Sequence, residues 1–366
     1  MMRALDLLHR WTGGLIGLLL ALLGASGTIL LWKEAWLRWM LPGAADPRVT
    51  DAAVLGDLTA HIMADAPGSI LFATDGFGLN RVNFGERGAY IDQAGHVVAR
   101  WDSVWDRPEL WLFDFHHYLF SGETGETVAG IAGLIGLAFV VTGILLWWRT
   151  RRTFRFRLLP KRMTRPAIVI HHRDLGIVMA PLLLLSMVTG TMMVFRPVAD
   201  LVLRPVAAPG TVTASLAPPK IEGGALDRAA LDWRRIVPQA LARYPGAELR
   251  VISMPKKAGD LVSIRLKQPA EWLPNGRTGV WVDPATGKIV ATRDALAMPT
   301  GARWFNKAYP LHSGKIGGVL YRTVMTLSGL TLAMLGSLAV WSFWTERGRR
   351  RRAESRRRRA LAIEPA

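Results

Sequence analysis

Leu8-His9-Arg10-Trp11-Thr12-Gly13 opens an apolar run that ends at Trp32, and His171-His172-Arg173-Asp174-Leu175-Gly176 opens another that ends at Phe195. Aligning His9 with His172 also superposes Ser26-Gly27-Thr28 on Thr189-Gly190-Thr191. The chain therefore reads as an internal repeat whose units each begin with a histidine at the mouth of an apolar helix. A bilayer-spanning helix needs about 20 mostly apolar residues. Both runs meet that length, and so do two more, about 128–148 and 319–344. Trp11, Trp32, Trp147, Trp148, Trp341 and Trp344 stand at span ends, where interfacial aromatic belts lie.

Outward from the odd spans, the polar segments match as well. Ala89-Tyr90-Ile91-Asp92-Gln93-Ala94-Gly95-His96-Val97-Val98 and Val280-Trp281-Val282-Asp283-Pro284-Ala285-Thr286-Gly287-Lys288-Ile289-Val290 both read strand, Asp/Gly turn, strand. A helical stretch precedes each, about 51–65 and 226–243. Each segment then returns to the membrane past histidine, through Phe115-His116-His117-Tyr118-Leu119-Phe120-Ser121-Gly122 and Tyr309-Pro310-Leu311-His312-Ser313-Gly314. The fold expected is a membrane all-α four-helix bundle of two pseudo-symmetric halves, with two small α+β domains outside it. Its parts are a first span within 1–33, an outer domain at 34–126, a span at 127–149 and a loop at 150–171. A span at 172–196, an outer domain at 197–316, a span at 317–345 and a basic tail at 346–366 complete it. The Pro-, Ala- and Thr-rich stretch 207–219 reads as a linker, and the tail from about 347 as disordered.

The 366 residues carry a net charge of +18, are 50% hydrophobic and contain no Cys. The segment before the first span, the 149–165 loop with Arg173, and the tail hold twenty basic residues against five acids, about +15 of the total. The positive-inside rule puts these segments and both termini in the cytoplasm, so the charge reports orientation and no nucleic-acid partner is expected. The absence of Cys excludes disulfide scaffolds, zinc ribbons, Cys-ligated iron–sulfur clusters and thiol catalysis. No cleaved signal peptide is expected. The first apolar run is too long, and the small residues Gly24-Ala25-Ser26-Gly27 lie inside it.

Six of the eight histidines lie near span ends, and the repeat sorts them into two layers. His9 and His172 mark the cytoplasmic face. His116 or His117, with His312, marks the outer face. Two imidazoles per layer are what bis-histidine haem ligation requires. Gly13, Gly14, Gly17, Gly130, Gly133 and Gly136 leave room for a macrocycle, or else serve plain helix packing. A divalent ion held by a histidine layer with Asp114 or Glu123 is the rival, although no His-x₃-His or His-Glu-x-x-His spacing occurs. No phosphate loop, dinucleotide fingerprint or nucleophile elbow is present. Because a 20-residue span covers about 30 Å, two haems in series are expected, and they are expected to be haem b.

Taken together, Leu-His-Arg-Trp-Thr-Gly, His-His-Arg-Asp-Leu-Gly, His-His-Tyr-Leu-Phe-Ser-Gly-Glu-Thr-Gly and Leu-His-Ser-Gly-Lys resemble the PepSY-associated transmembrane family over about residues 3–345. That family includes iron-regulated inner-membrane proteins and ferrisiderophore reductases, and the outer units resemble PepSY domains. The resemblance implies a haem-dependent oxidoreductase of the bacterial inner membrane that passes electrons outward to ferric siderophore iron in the periplasm. It places ligand histidines at His9, His172, His116 and His312, with His117 open as a substitute for His116. A separate donor is then expected: a quinol, a flavin or a partner protein. Acceptor contacts are expected from Arg303, Trp304, Lys307 and Lys315. Two other functions stand beside this one. The outer domains would bind peptides or restrain a periplasmic protease, or the paired repeats would form a transporter. Against transport, almost no charged residue falls in mid-span.

Overall fold

The computed structural model describes residues 2–361. In chain order the elements are α1 (Met2–Leu31), α2 (Lys33–Met40), α3 (Ala52–Met63), β1 (Ser69–Leu71), β2 (Asn80–Phe84), β3 (Arg87–Ile91), β4 (Val97–Trp101), α4 (Pro108–Tyr118), α5 (Gly122–Thr150), α6 (Arg165–Val194), α7 (Arg196–Leu203) and α8 (Thr211–Leu216). They continue through α9 (Trp233–Ala242), β5 (Glu248–Ser253), β6 (Val262–Lys267), β7 (Thr278–Val282), β8 (Ile289–Arg293), α10 (Thr300–Phe305), α11 (Ala308–His312) and α12 (Gly318–Leu361). The chain divides into a helical unit and a sheet unit. The helical unit holds the chain up to Leu31, Phe115–Val194 and the chain from His312 onward. The sheet unit holds Trp32–Asp114 and Phe195–Leu311.

In the helical unit, α1, α5, α6 and α12 are long and apolar enough to cross a membrane. Helix α1 packs on α12 and α5, and α6 packs on the same two helices, so the four close a ring. The α1–α12 seam rests on glycine. A Cβ on Gly24 would stand 2.8 Å from the Gly329 carbonyl oxygen, and one on Gly17 would stand 3.1 Å from that of Gly336. The α5–α6 seam instead sets Gly136 against Met187 and Gly133 against Thr191. Such small-residue contacts let helices approach where lipid supplies no hydrophobic drive for association. Helix α12 continues to Leu361, through most of the tail expected to be disordered. Its Arg, Ala and Glu residues are good helix formers. Residues 362–366 of that expected tail lie outside the described residues.

In the sheet unit, eight antiparallel strands run in the order β4-β3-β2-β1-β5-β6-β7-β8. The two expected α+β units are therefore halves of one sheet, joined where β1 pairs with β5 through Ser69↔Ser253, Ile70↔Ile252 and Leu71↔Val251. Pairing covers two strand edges that separate domains would leave open. The repeat persists in the register: β3–β4 shifts at Tyr90/Ile91, and β7–β8 shifts at the aligned Trp281/Val282. The turns are built as their sequences suggest. Asp92 Oδ1 accepts from the Ala94 and His96 amides, and Gly95 takes φ +93°. Helices α3 and α9 pack together and against one sheet face, over a core that includes Ile62, Ile70, Val82, Ile236, Ile252 and Ile264. Helix α9 starts at Trp233, later than expected, because the preceding segment is tied down as loop by Gly223 N–Gly259 O and Asp227 N–Pro284 O bonds. The expected linker holds α8, anchored by buried Val212.

Candidate functional site

Both histidine layers lie within the helical unit. At one end, His9 of α1 faces His172 of α6, with ring centres 6.2 Å apart and planes at 89°. His9 Nδ1 is 2.8 Å from Thr142 Oγ1 on α5, and the Phe139 ring packs 5.1 Å from the His9 ring. A cavity of about 1190 Å³ opens here, lined among others by His9, His172, Gly13, Gly17, Gly136 and Gly143. Arginines from all four helices line it too, Arg3, Arg149, Arg165 and Arg347 among them.

The His-His-Arg-Asp motif divides its labour. Only His172 turns to His9. His171 is buried and its Nε2 bonds the Leu158 carbonyl at 3.0 Å. Asp174 takes the Arg173 guanidinium at 2.6 Å and the Arg155 amide at 2.9 Å, and Arg173 also bonds Thr153. These three residues pin the α5–α6 loop.

At the other end, His116 of α4 faces His312 of α11, with ring centres 6.3 Å apart and planes at 47°. Nδ1 of His116 is 2.9 Å from Ser26 Oγ, and Nδ1 of His312 is 3.2 Å from Thr189 Oγ1 and 3.1 Å from the Ser186 carbonyl. Each ring sits over a repeat-related glycine: a Cβ on Gly27 would come within 2.9 Å of His116, and one on Gly190 within 3.1 Å of His312. His117 points elsewhere. Its ring packs against Tyr118, with Nδ1 4.0 Å from Glu126. A turn with positive φ at Leu119, Phe120 and Gly122 links α4 to α5.

The expected acceptor contacts divide between the units. Arg303, Trp304 and Lys307 line one cavity of about 290 Å³ in the sheet unit. The Lys307 ammonium lies 4.2 Å from the Trp304 ring centre and 4.5 Å from that of Trp272. Trp272 was not singled out in the sequence. Its only signal is an indole in a Pro- and Gly-flanked loop. Asn306 of the same cavity accepts from Arg277 Nε at 3.3 Å. Burial, with the Arg265 and Arg196 guanidiniums nearby, lowers the Arg277 pKa to about 10, so it remains a cation at neutral pH. Lys315 belongs to the helical unit and does not line this cavity.

Among the described residues, no group of three or more His, Asp and Glu is placed to hold a metal ion. Ser26, Thr142 and Thr189 are the site residues that sequence reasoning missed. Two of them were already superposed by the repeat, yet a hydroxyl inside an apolar helix carries no signal of its own. No curated protein matches the chain. The pattern of the PepSY-associated TM region matches residues 7–347, and the chain belongs to that family of multi-pass membrane proteins.

Proposed function

We propose that this protein is a di-haem electron-transfer protein of the bacterial inner membrane that reduces ferric siderophore iron on the periplasmic side. The observation that carries the proposal is the spacing within the two histidine pairs. Two imidazoles that shared one metal ion, each with a metal–nitrogen bond of about 2.0 Å and ~1.1 Å from nitrogen to ring centre, would stand up to about 6.3 Å apart. The pairs measure 6.2 and 6.3 Å. With two protein ligands per layer, a macrocycle that brings its own four nitrogens fits better than a tetrahedral divalent ion. The cavity of about 1190 Å³ beside His9 and His172 is ample for one, since ligand pockets commonly run to about 1,000 Å³.

Haem bound at these pairs supplies one-electron cycling between ferric and ferrous iron. The chain's own residues do the rest. His9 and His172 would hold one group at the cytoplasmic end, and His116 and His312 the other at the outer end, with orientation argued from the basic segments. From His9 to Ser26 is 17 residues, about 26 Å of helix rise, so two sites in series divide the crossing. Apolar helices and glycine seams would line the path between the two pairs. Lys307 and Arg303 offer positive charge to an anionic ferric chelate. One electron converts bound Fe(III) to Fe(II), which hard oxygen ligands hold less tightly, and the donor, a quinol, flavin or partner protein, is oxidised.

The test is purification in detergent from cells well supplied with haem. Absorbance spectra are expected to show a bis-histidine b-type signal and about two haems per chain, with reoxidation of the reduced protein on adding a ferric siderophore. A colourless protein overturns the proposal. An anchor for a peptide-binding or protease-restraining domain would instead work unchanged after replacement of His9 and His172.

A further inference from the structure

Three hydroxyls beside the histidine pairs share one arrangement. Thr142 Oγ1 donates its hydrogen to the Ala138 carbonyl at 2.7 Å, Ser26 Oγ to the Leu23 carbonyl at 3.1 Å, and Thr189 Oγ1 to the Leu185 carbonyl at 2.7 Å. A hydroxyl has a single hydrogen to give. With that hydrogen bonded back to its own helix, each oxygen meets its histidine as an acceptor, at 2.8 Å for His9, 2.9 Å for His116 and 3.2 Å for His312. The hydrogen in those contacts must come from the ring. The Ser186 carbonyl, which has no hydrogen to offer, lies 3.1 Å from the same His312 nitrogen and demands the same assignment. Among the described residues, no hydroxyl bonds the His172 ring. The alignment that superposes Gly136 on Gly329 and Gly143 on Gly336 puts Leu335 in the place of Thr142.

We infer that Ser26, Thr142 and Thr189 are positioning residues that hold His116, His9 and His312 in the Nδ1–H tautomer, with the Nε2 lone pair turned to the shared gap of each pair. The inference rests on the haem reading for its purpose, since a ligating imidazole needs one nitrogen free and the other fixed. It stands on hydrogen-bond geometry for its content. Its chemical consequence is directional. An acceptor on Nδ1–H makes Nε2 more basic and favours the ferric state, so removing the acceptor raises the potential of that site alone. Seated on Gly27 and Gly190, the outer rings have little freedom to find another partner.

The experiment has two arms. In the haem-free full-length protein labelled with ¹⁵N-histidine, nitrogen shifts are expected to report the Nδ1–H tautomer for His9, His116 and His312. Ser26→Ala and Thr142→Val should each mix the tautomers of their own histidine, Ser26→Thr and Thr142→Ser should restore them, and Thr189→Val should leave His312 in the Nδ1–H form, because the Ser186 carbonyl stays 3.1 Å from that nitrogen. In the haem-loaded protein, redox titration is expected to show Thr142→Val raising one midpoint potential, and Ser26→Ala and Thr189→Val raising the other. Nε2–H tautomers in the wild-type protein overturn the inference, and so do potentials that shift together or not at all. Absence of haem with the expected tautomers overturns the function proposed above while leaving the positioning role standing.

Discussion

His116 and His117 are neighbours on α4, and adjacent residues of a helix point about 100° apart. Only one can face His312, and it is His116. Replacing His116 with Ala is therefore expected to lower haem content from about two per chain to about one, while replacing His117 leaves it unchanged. His9→Ala and His172→Ala should each remove the other equivalent, as measured by pyridine haemochrome assay against protein concentration. The two pairs also differ in ring planes, 89° against 47°. Two haems held by pairs so different would give distinct low-spin ferric lines in electron paramagnetic resonance, one expected to vanish in His9→Ala and the other in His116→Ala. At this scale the sequence was legible to the layer but not to the ring. Repetition identified which histidines belong together. The choice within the adjacent pair depends on how α4 is rotated about its own axis, which two neighbouring histidines in the sequence do not announce.

The glycines of α1 and α12 look alike in sequence and differ sharply in what surrounds them. Gly24 and Gly17 lie against the backbone of Gly329 and Gly336, whereas Gly348 has open space where a Cβ would stand. Backbone cannot yield as a flexible side chain can. Gly24→Val is thus expected to separate α1 from α12 and to cost about 1–3 kcal/mol through overpacking, read as lost thermal stability in detergent. Gly348→Ala should be neutral or slightly stabilising, because alanine is the better helix former by about 1 kcal/mol. Equal effects of the two would show that the seam is not tight. A glycine-rich span in sequence is compatible with packing or with room for a cofactor. In the structure Gly24 lies in the seam, Gly13 and Gly143 line the cavity, and Gly17 and Gly136 do both.

At the scale of the whole molecule, the repeat predicted two similar outer units, and the fold fuses them. Strand β1 has three residues and its partner β5 lies about 180 residues further on, so no local pattern foretells the pairing. Ile70 and Ile252 face each other across this join and are fully buried. If the eight strands form one cooperative unit, damage to one half must reach the other. Ile252→Ala is expected to cost about 2–5 kcal/mol, and hydrogen exchange should accelerate in β3–β4 of the first half as well as in β7–β8 of the second. Acceleration confined to β7–β8 would mean that the halves fold independently and merely touch at β1–β5.

Orientation is a whole-molecule expectation that composition raises, since about +15 of the net charge gathers on one set of connecting segments. The Cys-free chain makes it directly measurable. A single cysteine introduced by Arg157→Cys sits at a half-buried position of the mostly exposed α5–α6 loop, and one introduced by Gly210→Cys sits at an exposed turn before α8 in the sheet unit. At Gly210 the φ is +80°, a conformation that strains any other residue by about 1–3 kcal/mol. Gly85→Cys, in the exposed β2–β3 turn at φ +75°, serves as a second site in the same unit. In cells whose outer membrane is permeabilised, a membrane-impermeant maleimide should label positions 85 and 210 and spare position 157. Inverted inner-membrane vesicles should reverse that pattern. The prediction turns on physics independent of haem, because translocation reads the arginines near the span ends and not the cofactor. Labelling at position 157 from outside would put His9 and His172 on the periplasmic face and reverse the proposed direction of electron flow.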